Sequence, residues 1–406
     1  MLRKLPRSAA LAPYLFTLPM ILFLGVFFLL PIGAMLARAV VSDEVTRGLP
    51  ATAERLAQAG ETPALSEGLA AALVRDLTND DLRIERAEAA RRLNYEITGF
   101  RTLLLGTARA LRRLQLDPER EEPAALRARL LEADPRWGDA DYWAALRRAS
   151  SLFTDYYLLN AFDLRRDRDD EIVAVPPERR IFVDVLVRTI TVSLAVTAIV
   201  LAVAYPFANF LTRVGGWVRI VAFFAVLLPF WTSLLVRTSA WIVVLQREGL
   251  VNATLRGLLL TDEPLALIFN RTGVYVVMVH VLLPFMVLPL FSTMSAIRPI
   301  YAKAARSLGA TPLKSFLYVY LPLSLPGVIS GSLLTFIVCI GYYVTPALVG
   351  GPKDQMIGYF IAFFTNQELN WGMAAALALI LLSLIGGAYV ALSRTVGLTA
   401  ILSGQK

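Results

Sequence analysis

The sequence predicts an all-α polytopic membrane protein: six transmembrane helices, with a helical insert between the first and second. Three observations carry that reading. Of 406 residues, 56% are hydrophobic and only 18% charged, with mean hydropathy +0.58, whereas soluble domains carry about a quarter charged residues. Six stretches, roughly 11–37, 185–211, 218–245, 272–295, 316–346 and 372–393, reach the ~20 apolar residues that a spanning helix needs. The net charge of +8 is also unevenly divided, with residues 41–183 at −4 and the remainder at +12.

The first stretch follows Arg3, Lys4 and Arg7, and it ends near Ala37-Arg38-Ala39. A basic start and a small-x-small site suit a cleaved leader. Signal cores, however, run only ~7–15 residues, and this apolar run is nearly twice as long. A retained anchor helix is the expectation.

Residues 41–183 are too long for a loop and too charged for a membrane. Thr62-Pro63 and Asp117-Pro118 each place a capping residue before proline at a first helical position. Phe100, Leu103, Leu104, Thr107, Ala108 and Leu111 follow the i, i+3, i+4 spacing of one buried stripe. Strand signals are scarce, so an all-helical subdomain is expected. Trp137, Tyr142, Trp143, Phe153, Tyr156, Tyr157 and Phe162 could form a cage for a cation, but their spacing favours a core for the insert itself. The run from Arg165 to Glu171 is expected to be a solvated link into the second span.

The second span begins with Asp184 and Arg188, one helical turn apart and able to pair. In the third, Arg237 and Trp241 share that spacing and could stack as a cation–π pair. A buried charge is costly, roughly 2.5–3.5 kcal/mol at a helix centre, so Arg237 is a candidate for the outer gate as much as for packing. His280, mid-span in the fourth segment, is a lone packing residue and cannot build a metal cluster; nor can the single cysteine, Cys339. The fifth stretch contains Pro322 and Pro326. Proline interrupts the helical ladder, so its first turns are expected to lie at the membrane interface.

Short loops set the direction. Arg3, Lys4, Arg7, Arg213, Arg219, Arg298, Lys303, Arg306, Lys314, Arg394 and Lys406 fall on one side, with no acidic residue among them. The positive-inside bias makes that side cytoplasmic, together with both termini. The domains read as 1–40 (cytoplasmic N-terminus and first span), 41–183 (periplasmic insert) and 184–406 (spans two to six, with a cytoplasmic loop at 297–315). This basic excess is a topology signal and not a nucleic-acid footprint.

Lys303-Ala304-Ala305-Arg306-Ser307-Leu308-Gly309, followed by Val319-Tyr320-Leu321-Pro322, describes a short polar helix, a glycine turn and a proline-bearing apolar segment. Small Ala304 and Ala305 let another protein approach the backbone. Gly309 can end the helix in a left-handed conformation, and Pro312 stiffens the return. This pattern resembles the EAA loop of binding-protein-dependent ABC importer permeases, E-A-A-x3-G-x9-I-x-L-P. Lys303 stands at the usual glutamate and Val319 at the usual isoleucine. Leu228-Pro229-Phe230-Trp231-Thr232-Ser233, Gly249-Leu250-Val251-Asn252, Leu283-Pro284-Phe285-Met286-Val287-Leu288-Pro289 and Pro346-Ala347-Leu348-Val349-Gly350-Gly351 are similar to segments of spermidine/putrescine-type permeases. The resemblance covers about 1–40 and 184–406. The insert is longer than that family usually carries.

The resemblance implies a type I importer fold in the bacterial inner membrane, with this chain as the first of two non-identical permeases. It implies two cytoplasmic ATPases and a periplasmic solute-binding protein as partners, and Lys303, Ala304, Ala305, Gly309 and Pro312 as the ATPase-coupling residues. No G-x4-G-K-[ST] phosphate loop is present. The chain is therefore expected not to be an enzyme and to hold no cofactor, with ATP and Mg bound by the partner ATPase. Arg237, Trp241, Glu248, Tyr342 and Tyr343 are the candidate solute path, and Asp262, Glu263 and Glu368 add outer carboxylates suited to a cation. A polyamine is the solute implied; an opine, an amino-acid derivative or an iron complex are alternatives. A stand-alone secondary transporter would show intramembrane acids and an internal repeat, and a sensor would need a cytoplasmic output domain. The sequence offers neither.

Overall fold

A computed structural model describes residues 17–58, 65–114 and 118–402, with side chains described up to residue 391. Arg3, Lys4, Arg7, Thr62, Pro63, Asp117 and Lys406 lie outside it, as does the side chain of Arg394. The chain divides into two compact units. One comprises residues 1–180 with Asn370–Ala376, and the other Ile181–Leu369 with Leu377–Lys406.

In the first unit, the span Thr17–Ala37 buries none of its side chains within the chain. A helix that is apolar all round and exposed all round is at home only in lipid or against another membrane protein. A π-helical turn at Gly25–Leu29 stands two residues ahead of Pro31. A proline ring presses on the carbonyl four residues back, and a widened turn makes room for it.

Among the described residues, the insert packs eight α-helices between Glu44 and Ala161. The predicted stripe from Phe100 to Leu111 is buried at all six positions, against Leu73, Leu77, Leu93, Trp137 and Trp143. The indole N–H of Trp137 donates to the Thr107 hydroxyl at 2.9 Å, and that of Trp143 to the Trp137 carbonyl at 2.8 Å. The predicted aromatic run divides: Trp137, Trp143 and Tyr157 are core, whereas Phe153 and Phe162 are exposed. Tyr156 and Tyr157 do hold a cation, but it is the protein's own. The guanidinium carbon of Arg92 lies 4.4 and 5.0 Å from the two ring centroids. Its charge is matched by Glu96 at 3.0 Å, which also meets Arg148 at 3.5 Å. Burial, foremost, pushes the Tyr157 hydroxyl up to about 12.

The expected link at 165–171 is a β-hairpin. Leu164–Arg166 pairs antiparallel with Ile172–Ala174, and the Asp167 carboxylate caps the turn by accepting from the amides of Asp169 and Glu171 at 3.0 Å each. Three-residue strands are too short for alternation to reveal.

In the second unit, Phe182–Arg213, Arg271–Ala296 and Pro312–Ile340 are unbroken spans. Val192, Val196, Val200, Ala204, Ala208 and Leu211 form one buried ridge, packed with Val274, Val277, Met278 and Val281. In lipid, close approach depends on small residues rather than on expulsion of water. Gly327 and Gly331, a G-x-x-x-G pair, supply it. A β-carbon at Gly327 would lie 2.8 Å from Thr293, and one at Gly331 2.9 Å from the Met286 sulfur.

One expectation about the spans is corrected: the third is not continuous, and Gly216–Trp231 and Leu234–Gly257 meet at 108°. In the fifth, the helix itself is unbroken at Pro322 and Pro326, with a π-turn at Phe316–Tyr320 ahead of Pro322 as another precedes Pro31. Asp184 and Arg188 also do not pair among the described residues; the Arg188 guanidinium donates to the Gln355 carbonyl at 3.1 Å.

Candidate functional site

The candidate residues gather at two places, the loop at 297–315 and the break in the third span. Ile300–Ser307 is an eight-residue helix. Its end is fixed by two hydrogen bonds, Ala310 N–H to Ala305 C=O and Gly309 N–H to Arg306 C=O, both 3.0 Å. With Gly309 at φ +87°, this is the Schellman arrangement, which satisfies carbonyls that a helix end would otherwise leave unpaired. Thr311 then starts the next turn as its N-cap, accepting from the Lys314 amide at 3.3 Å, with Pro312 at the first position. The Ser315 hydroxyl reaches back to the Ala302 carbonyl at 3.3 Å. The result is a compact knob with a stiff return.

Of the predicted coupling residues, Lys303, Ala304, Gly309 and Pro312 are exposed, while Ala305 is half-buried on the inner side of the helix. The sequence reading missed that Leu308 is 89% and Leu313 66% exposed. Two bare leucines beside a glycine turn form an apolar tip. Their adjacency to Gly309 was the available signal.

At the break, the upper helix ends at Trp231 and Ser233 caps the lower one, its hydroxyl accepting from the Val236 amide at 3.2 Å. Arg237 closes the junction. Its guanidinium donates to the Pro229 carbonyl, to the Thr232 carbonyl at 2.8 Å and to the Thr232 hydroxyl at 3.0 Å. The two carbonyls lie at the end of a broken helix, and the negative end of that helix's dipole faces the cation. Trp241 does not stack on Arg237. Its ring lies 5.4 Å from that of His280, and its N–H donates to His280 Nδ1 at 3.1 Å.

Pro229, Thr232, Arg237, Trp241 and His280 line an apolar cavity of about 290 Å³. The structure thus brings Arg237 and Trp241 together and adds His280, whose partner across the spans no spacing rule could identify. Tyr342, half-buried, does not line the cavity. Nor do Glu248 and Tyr343, both exposed. Asn252, in the Gly-Leu-Val-Asn segment, pins the loop after the third span. Its amide donates to the carbonyls of Gln246 (3.1 Å) and Leu265 (3.0 Å) and accepts from the Leu265 amide at 2.9 Å.

The family of binding-protein-dependent transport system inner membrane components matches residues 180–396. The chain is 33% identical over 206 residues to the spermidine/putrescine transport system permease protein PotB of Escherichia coli (strain K12), covering 51% of this chain and 75% of that protein. It is 33% identical over 257 residues to the inner membrane ABC transporter permease protein YdcU of the same strain, covering 56% and 80%. Among solved structures, a chain from a bacterial ABC transporter involved in import of the acidic polysaccharide alginate aligns with 51% of this chain and 79% of its own length. That alignment has 18% identity and a TM-score of 0.42.

Proposed function

The chain belongs to the family of binding-protein-dependent transport system inner membrane components, and we propose that it is the first of two non-identical permeases of a polyamine importer. It is a multi-pass membrane permease and not an enzyme. In the proposed assembly, a periplasmic binding protein delivers the solute, and two ATPase subunits, which alone hold ATP and Mg, drive the cycle. Both termini and the 297–315 loop face the cytoplasm, as their unopposed basic residues favour.

The single observation that carries the mechanism is the Schellman-ended helix with its exposed leucine tip. A knob that transmits force must keep its shape under load, and the carbonyls of Ala304, Ala305 and Arg306 at its end are already bonded. When the ATPases close, displacement of the knob passes through Thr311 and Pro312 directly into the fifth span, helical from Pro312 onward. That span is keyed to the fourth through Gly327 and Gly331. Lys303, exposed on the helix, meets an acidic surface on the ATPase in place of the usual glutamate contact.

For the solute, likeness to PotB supports a polyamine. The Trp241 ring offers a face for an alkyl-ammonium chain in the cavity. Arg237 is held at the break through Nε and one terminal nitrogen, which donate to carbonyl and hydroxyl oxygens. Glu248, Tyr342 and Tyr343 line the route outward from the cavity. An opine, an amino-acid derivative or an iron complex would be admitted by the same architecture.

Reconstitution with the partner permease, the ATPases and the binding protein in liposomes tests this reading. Radiolabelled spermidine should accumulate only with ATP and the binding protein present. Lys303→Glu should lower solute-stimulated ATP hydrolysis, and an acidic-to-basic change on the facing ATPase surface should restore it. ATP-independent accumulation by this chain alone would refute the mechanism. ATP-driven uptake of other solutes but never of polyamines would refute the substrate assignment.

A further inference from the structure

A second cavity, of about 480 Å³, opens beside the coupling helix. It is walled by the last turns of the second span (Thr212, Arg213), the start of the helix Gly216–Trp231 (Arg219), the segment just after the fourth span (Arg298), the coupling helix (Tyr301, Lys303) and the fifth span (Tyr320). Four cations line it and no carboxylate does. Arg219 is partly engaged, donating to the Val214 carbonyl at 2.8 Å. Arg213, Arg298 and Lys303 make no ion pair among the described residues.

A preference for basic residues on one face explains their number but not their convergence on one hollow. Unopposed cations brought together repel one another, and a bound anion relieves that repulsion. We infer that this cavity binds the phosphate headgroup of an anionic membrane lipid. Guanidinium groups suit a phosphodiester because their paired N–H donors match its oxygens. The walls identify the carrier. They are the terminal turns of apolar spans, at the level where lipid headgroups lie, and Tyr301 and Tyr320 supply the aromatic surface typical of that boundary. The apolar tip proposed to meet the ATPase, Leu308 and Leu313, is not part of the lining, so the two surfaces are distinct except at Lys303.

The lipid would brace the base of the coupling helix against the span ends that it must move. The site shares Tyr301 and Lys303 with the coupling helix, but lipid retention can be read without measuring transport. The full chain is placed in phosphatidylcholine nanodiscs containing a minor fraction of phosphatidylglycerol, released, and examined by native mass spectrometry for retained lipid. Wild-type protein should keep phosphatidylglycerol in preference to phosphatidylcholine, and added inorganic phosphate should not displace it.

At about fivefold per surface cation removed, Arg213→Gln with Arg298→Gln should reduce retention roughly thirtyfold. Arg213→Lys with Arg298→Lys should keep most of it. A charge-matched control, Arg247→Gln with Arg256→Gln, should behave as wild type. Equal loss in the control, or no loss in the cavity variant, would overturn the inference. Displacement by inorganic phosphate would show a free-anion site and overturn the lipid assignment. Loss of the lipid on adding the ATPase subunits would assign the cavity to an acidic segment of that partner.

Discussion

Replacing Gly309 separates two explanations of why a glycine stands there. No atom lies within 4 Å of where a β-carbon would sit, yet φ is +87°. Alanine would therefore meet no clash and would still be strained, because a left-handed conformation costs an ordinary L-residue roughly 1–2 kcal/mol. Asparagine tolerates that conformation far better. If the knob must hold its Schellman turn to be pushed, 1–2 kcal/mol corresponds to about a 5- to 30-fold smaller competent population. In liposomes carrying the complete transporter, ATP hydrolysis stimulated by loaded binding protein should fall by up to that factor in Gly309→Ala. Gly309→Val should be at least as poor, and Gly309→Asn should stay near wild type. The reasoning fails if activity follows side-chain volume, with alanine unaffected and asparagine as damaging as valine.

Gly331→Val places branched carbon where the Met286 sulfur already lies 2.9 Å away; overpacking of this kind costs about 1–3 kcal/mol and should lower the melting temperature in detergent, whereas the same change at Gly386, which has nothing within 4 Å, should not. Arg237→Lys keeps the charge but cannot span three oxygens at the third-span break; with hydrogen bonds to charged groups worth roughly 1.5–3 kcal/mol, thermal stability should drop clearly, and unchanged stability would remove Arg237 from its role as the clasp. In the insert, Asp76 is buried and its pKa is raised above 3.8, chiefly by desolvation and despite hydrogen bonds from Thr52 and Ala51. A raised native pKa means that the contribution of Asp76 to stability is full below 3.8 and is lost as pH rises through the native value. The stability of wild type relative to Asp76→Asn should therefore fall with rising pH from 3.8 and then level off, and a difference that grows with pH would contradict the assignment.

Much of this was legible along the chain because lipid imposes a simple rule: about 20 apolar residues in a row. The stripe from Phe100 to Leu111 was legible for the same kind of reason, since one face of one helix is a local property. The break at Thr232-Ser233 was not. Proline inside a membrane helix is common and often harmless, as Pro206, Pro284 and Pro289 show here. What separates Pro229 is a serine able to cap a new helix four residues on and an arginine able to collect the freed carbonyls. Pro322 does not break its helix, because a π-turn ahead of it absorbs the clash. At the candidate site, Arg237 and Trp241 were found by type and spacing, but their partners were mistaken. One turn of helix suggested that they met each other, whereas the nearest satisfying groups lay across the break and on the fourth span.

The most direct test of force entering at the 297–315 loop uses the chain's own thiol inventory. Its only cysteine, Cys339, is buried, so Leu308→Cys creates a single accessible thiol at the tip of the knob. In an assembled transporter, a short thiol-to-amine crosslinker should join that position to the ATPase subunit, with a yield that changes when ATP is bound. An active transporter in which position 308 never reaches the ATPase would contradict the account.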